Sequence, residues 1–140
     1  MTAKEYLQTI FIIKRRIARL EEARRDLVND LYCFSSPAPD HEPVQTSPNG
    51  DRIIEVIAKK DEAEQKMVTE IRRLIDAKMK IIADIERVPN EQQKQILFDR
   101  YVMCKRWERI AAEHDKCIRW VYRLHGRALK SFEERWGGGH

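Results

Sequence analysis

Glycine and proline together fill only ten of the 140 positions, and four of the five prolines fall within residues 34–51. Elsewhere Ala, Leu, Ile, Glu, Lys and Arg dominate, a balance that favours long helices with solvated faces. No apolar run approaches the roughly 20 residues a membrane helix needs. The N-terminal "MTAKEYLQTIFIIKRR" flanks its short apolar run with charges and carries no small-residue cleavage site, so it does not read as a secretion signal. The three cysteines, Cys33, Cys104 and Cys117, cannot form a complete disulfide framework. These absences predict a reduced, cytoplasmic protein with free thiols and no membrane partner.

The chemistry of catalysis is missing as well. There is no glycine-rich phosphate loop and no nucleophile with a base at a recognisable spacing. Cys104, His114, Cys117 and His125 lack the paired short-loop spacing of a structural zinc site. The sequence therefore predicts no enzyme, no metal and no cofactor.

Charge is abundant but unevenly placed. Residues 1–89 carry 16 basic and 16 acidic side chains, whereas residues 90–140 carry 11 against 7 and so hold the whole net charge of +4. Within residues 105–130 the count is 8 against 3. A basic excess held in one segment points to a polyanion-binding module.

Hydrophobic spacing divides the chain. From Ala3 to Tyr32, Ile10, Ile13, Ile17, Leu20, Leu27 and Leu31 recur at separations of three and four, with Arg24 in the one vacant seam position. That is a coiled-coil stripe on a helix of about 30 residues. Residues 34–51 have no such period and read as a disordered Ser/Pro-rich linker. Asn49-Gly50-Asp51 then offers a turn and an N-cap. Beyond it Ile53, Ile57, Met67, Ile71, Leu74, Ile81, Ile85 and Val88 continue a stripe broken by Lys60, Glu64 and Lys78. The two stripes predict an all-α protein whose residues 1–88 form a long antiparallel helical hairpin, coiled-coil-like and suited to homodimerisation.

Val88-Pro89-Asn90 ends the second long helix, because proline disfavours helix in the residue before it. Asn90 and Gln93 have capping-box spacing for a helix over Glu91–Met103. A short helix over Trp107–His114, the turn "HDKC", a helix over 118–135 and a flexible tail at 137–140 complete the chain. Short helix, tight turn and second helix form a helix-turn-helix, whose second helix enters the DNA major groove. Its steric requirements are a small residue at the crossing, a left-handed turn residue and a buried aliphatic six positions later. Ala111, Asp115 and Val121 stand in those places. With Val121, Leu124, Ala128 and Phe132 inward, Arg119, Tyr122 and Arg123 turn toward base edges. Lys105, Arg106, Lys116, Trp120 and Arg127 are placed at phosphates.

The segment from "VPNEQQKQILFDRY" through "WERIAAEHDKCIRWVYRLHGRALKSF" resembles region 4 of sigma-70-type factors. The matching features are Pro89, Arg100-Tyr101, Trp107 with Ile110-Ala111, and Ala128-Leu129 with Phe132. His114 stands where that pattern has an aliphatic, Asp115 where it has glycine, and Cys117 where it has a capping Ser or Thr. With its N-terminal helix, Ser/Pro linker and "GDRI", nearly the whole chain resembles the late-operon activators of phages and prophages, the RinA/ArpU-like regulators. This resemblance implies a three-helix DNA-binding domain over residues 89–136. It also implies double-stranded DNA as partner, host RNA polymerase as a second partner, and activation of a phage or prophage late operon in the bacterial cytoplasm. Residues 1–88 hold only Tyr6, Phe11, Tyr32 and Phe34 as aromatics, too few for the strand-capturing domain of a full sigma factor. The alternatives are a coiled-coil adaptor for host polymerase or a sigma subunit, and a DNA-recognising packaging subunit.

Overall fold

The computed structural model describes residues 1–35 and 48–137. The described elements are all helical: α1 (Ala3–Leu7), α2 (Thr9–Ser35), α3 (Pro48–Ile85), α4 (Glu91–Leu97), a π-helical turn (Phe98–Val102), α5 (Trp107–Glu113) and α6 (Ile118–Trp136). No described helix is long and apolar enough to cross a membrane. The expected linker lies largely outside the described residues, as does the tail beyond Gly137. Where its ends are described, α2 runs to Ser35 and α3 begins at Pro48, inside the expected linker span. Proline suits a first helical position, because its missing N–H would have had no intrahelical partner there. Asn49-Gly50-Asp51, expected to cap α3, therefore lies within its first turn.

The chain divides into two compact units. One comprises Met1–Lys14 with Arg73–His140, the other Arg15–Arg72. The unit that contains residues 89–136 thus also takes in the chain's beginning and the end of α3, a wider body than the expected 89–136 segment. The single expected N-terminal helix is divided at Gln8. Its start is fixed by a capping box: the Glu5 N–H donates to Thr2 Oγ1 at 3.2 Å and the Thr2 N–H to Glu5 Oε2 at 2.8 Å.

In the first unit α1 and α6 are joined through aromatics. The Tyr6 ring stacks on Trp136 at 4.9 Å and lies 6.2 Å from Phe132. The Tyr6 hydroxyl donates to Asp84 of α3. Burial, then the bond and charge of that carboxylate, push the phenol well above its ordinary pKa. Leu7, Ile10, Ile85, Val88, Ile96, Leu97, Ile110, Val121, Ala128 and Phe132 are at or near zero exposure and form one core across these elements.

In the second unit Ile17, Leu20, Arg24, Leu27 and Leu31 of α2 are half-buried, the stripe expected from the spacing, and Glu21 and Val28 beside it are half-buried as well. Arg24 lies 3.0 Å from Glu21 and 4.0 Å from Glu64, so the polar breaks of the two stripes answer each other. Such exposed pairs contribute little stability, about 0–1 kcal/mol each, but they favour one register. The α3 stripe differs from expectation. Ile57 and Ile71 are 42% and 40% exposed, while Val56 and Ala63 are more buried. The separations of three and four can be threaded along this helix in more than one way, and burial follows the thread that carries the alanine.

Candidate nucleic-acid interface

The connection between α4 and α5 is shaped by one buried carboxylate. Asp99, 2% exposed, accepts from Gln95 Nε2 at 2.9 Å and from Lys105 Nζ at 3.2 Å. Lys105 also donates to Glu113 at 2.8 Å, and His114 Nε2 stands 3.7 Å from Asp99 Oδ2. The Glu113 hydrogen bond, with help from Asp99, raises the Lys105 pKa. Lys105, expected on a phosphate, is thus held by two carboxylates with its side chain only 16% exposed. The physical reason is that a buried carboxylate needs a cation, and Lys105 is within reach. Reaching this arrangement takes a π-helical turn at Phe98–Val102 and a left-handed Cys104 at φ 57°. Neither is announced by the local residues.

Arg100 braces the other side. Its guanidinium lies 4.4 Å from the Trp107 ring centre and 5.3 Å from that of Phe11, and it donates to the Lys105 carbonyl at 3.0 Å. Trp107 packs edge-on against His125 at 4.5 Å and Tyr122 at 5.5 Å. A planar cation over an aromatic face is held by the ring quadrupole and fixes the start of α5 without a capping side chain.

The α4 start is capped by Asn90, whose Oδ1 accepts from the Gln93 N–H at 3.0 Å. The Gln93 side-chain oxygen is buried without a partner, so the expected capping box is half formed. At the turn before α6, Asp115 adopts φ 52°, the left-handed conformation that this connection needs. Cys117 occupies the N-cap position of α6 and makes no capping hydrogen bond. The Trp120 amide facing its sulfur is the main cause of a lowered thiol pKa.

α5 packs on α6 through Ile110 and Ala111 on one side and Val121 and Leu124 on the other. With that face buried, the opposite face of α6 is open. Arg119, Arg123 and Arg127 are exposed and Tyr122 is 50% exposed. Arg106 and Lys116 are exposed beside them, while Trp120 is half-buried with Lys116 Nζ 5.6 Å from its ring. Seven of the eight expected contact residues thus keep exposed surface near the two helices, and Lys105 alone is drawn into an internal ion pair. Long guanidinium side chains at i and i+4 suit bidentate acceptors such as phosphate oxygens or the O6 and N7 of guanine. Gly126 also lies on this open face, and among the described residues no atom beyond its chain neighbours and its own stretch of helix backbone comes within 4 Å of where a Cβ would stand. A glycine inside a helix costs about 1 kcal/mol relative to alanine.

His125 was not expected in the core. It is 8% exposed and hydrogen-bonded through Nε2 to the Tyr101 hydroxyl at 2.6 Å. Burial, then the Lys4 and Arg100 charges, lower the His125 pKa from 6.5 to about 4. Burial likewise raises Tyr101 to about 12. The unfolded chain takes a proton near pH 6.5, the folded chain only near pH 4, so this contribution is complete above pH 6.5 and lost as pH falls toward 4. Its size is about 3 kcal/mol. Denaturant midpoints measured from pH 7.5 to 4 should fall more steeply for the wild type than for His125→Gln; equal slopes would contradict this.

Among the described residues no group of three or more His, Cys, Asp or Glu could hold a metal ion. No family model, curated protein or solved structure matches the chain.

Proposed function

We propose that residues 89–136 act as a sigma-region-4-like helix-turn-helix that binds double-stranded DNA, with α6 as the recognition helix. The single observation that carries this reading is the division of α6 into two faces. Val121, Leu124, Ala128 and Phe132 are buried, while Arg119, Tyr122, Arg123 and Arg127 stand exposed on the other side. The small Ala111 at the crossing and the left-handed Asp115 in the turn support the same reading. Arg119, Tyr122 and Arg123 read base edges, and Arg106, Lys116, Trp120 and Arg127 hold phosphates. Activation of a phage or prophage late operon, with host RNA polymerase as second partner, rests on the sequence resemblance alone.

The N-terminal helices form an antiparallel hairpin that dimerises the protein. The facing of Arg24 and Glu64 supports the pairing, and the exposed Ile54, Ile57, Val68 and Ile71 of α3 support a further apolar contact. Those exposed aliphatics also favour a second reading, a coiled-coil adaptor that binds a polymerase or sigma subunit and needs no DNA. Selection from random duplex DNA followed by footprinting separates the two. A protected site is expected whether or not polymerase is added; protection only in the presence of polymerase would favour the adaptor.

A further inference from the structure

Gly126 is hard to explain from within the protein. It sits in the middle of the 19-residue α6, where glycine is a poor helix former, and it makes no left-handed turn. Among the described residues nothing beyond its own stretch of helix approaches the place of its missing Cβ, so no internal packing there demands the small residue. It is exposed, and its helical neighbours at i−7, i−4, i−3, i+1 and i+4 are Arg119, Tyr122, Arg123, Arg127 and Lys130, all exposed. A bare strip of backbone is thus ringed by four cations and a phenol. One turn further on, at i+7, the exposed Glu133 reverses the sign and bounds the basic ring.

We propose that Gly126 is a notch for the sugar–phosphate backbone of one DNA strand, where the α6 backbone itself lies against the duplex. This rests on the DNA-binding reading above and adds to it the place of closest approach. Side chains extend a helix from a Cα radius of about 2.3 Å to about 5–6 Å, so a glycine lets a surface come roughly 3 Å nearer the axis. At that distance Arg127 and Lys130 reach phosphates beside the notch without extending fully, while Arg119 and Arg123 stay free for base edges. Any side chain at position 126 would hold the strand off and lengthen those contacts together.

The test uses the full chain and a labelled mixed-sequence DNA duplex at low salt, with Gly126→Ala, Gly126→Leu and the Arg119→Ala/Arg123→Ala pair. Alanine and leucine are better helix formers and the space is open, so both glycine variants should melt at or above the wild-type temperature. Their affinity for the duplex should nevertheless fall in order of size, by about tenfold or more for leucine. The slope of log affinity against log salt should stay near that of the wild type, since no cation is removed. If both glycine variants bind as the wild type does while the arginine pair loses binding, the notch is wrong and the DNA reading stands. If the wild type does not bind the duplex, both fall. A lower melting temperature for Gly126→Ala would also overturn the proposal, because it would reveal an internal need for glycine.

Discussion

Replacing Arg119 and Arg123 by alanine should reduce affinity for a selected DNA site by roughly 2–6 kcal/mol, at about 1–3 kcal/mol for each base-edge contact. That is a fall in affinity of roughly 30-fold to more than 10⁴-fold. Both side chains are exposed on α6, and among the described residues neither makes a side-chain hydrogen bond or an ion pair, so the loss should come without a change in folding. Melting temperature should therefore stay within a degree or two of the wild type. The comparison with Lys105→Ala is informative, because Lys105 is tied to Asp99 and Glu113. Its removal should act on stability first, by leaving a buried carboxylate with one partner fewer. If the arginine pair left affinity for the selected site unchanged, α6 would not be the recognition helix.

The second large effect concerns Phe132. Its ring is fully buried and meets Tyr6 and Trp136, so it ties α6 to α1. Truncation to alanine removes those aromatic contacts and leaves a cavity in the core. Such changes cost about 3–5 kcal/mol, against a total stability of about 5–15 kcal/mol for a domain. Urea unfolding of Phe132→Ala should show a midpoint lowered by that amount, and the basic segment should lose structure together with α1. A loss below about 1 kcal/mol would mean that α1 does not pack on α6 as described.

These two effects also mark what could be read from residues alone. The faces of α6 were legible because they depend on spacing within one helix: Val121, Leu124, Ala128 and Phe132 repeat at three and four, and the arginines fall between them. The turn was legible because its demands are local, a small Ala111 and a left-handed Asp115. What escaped was non-local. Nothing near Lys105 in the chain announces that Asp99 will be buried beside it, since this follows from a π-helical turn and a left-handed Cys104. Nor does anything near Tyr6 announce Trp136, which is 130 positions away in the sequence. His125 offered a faint signal, lying one position after the buried Leu124 on a helix whose apolar face is wide. The α3 stripe was misplaced in part because charged residues break it, leaving two spacings of nearly equal merit; Ala63, a small residue suited to close helix approach, was the clue to the one observed. The Thr2–Glu5 capping box was present in "TAKE" as a readable motif.

The sharpest test of the whole account is a salt titration of duplex binding by the full chain and by the Arg119→Ala/Arg123→Ala variant. Each phosphate neutralised contributes about 0.9 to the slope of log affinity against log salt. Measurable binding at low salt, a wild-type slope of several units and a much weaker affinity for the variant are expected. No binding of duplex DNA by the wild type at low salt would contradict the DNA-binding reading.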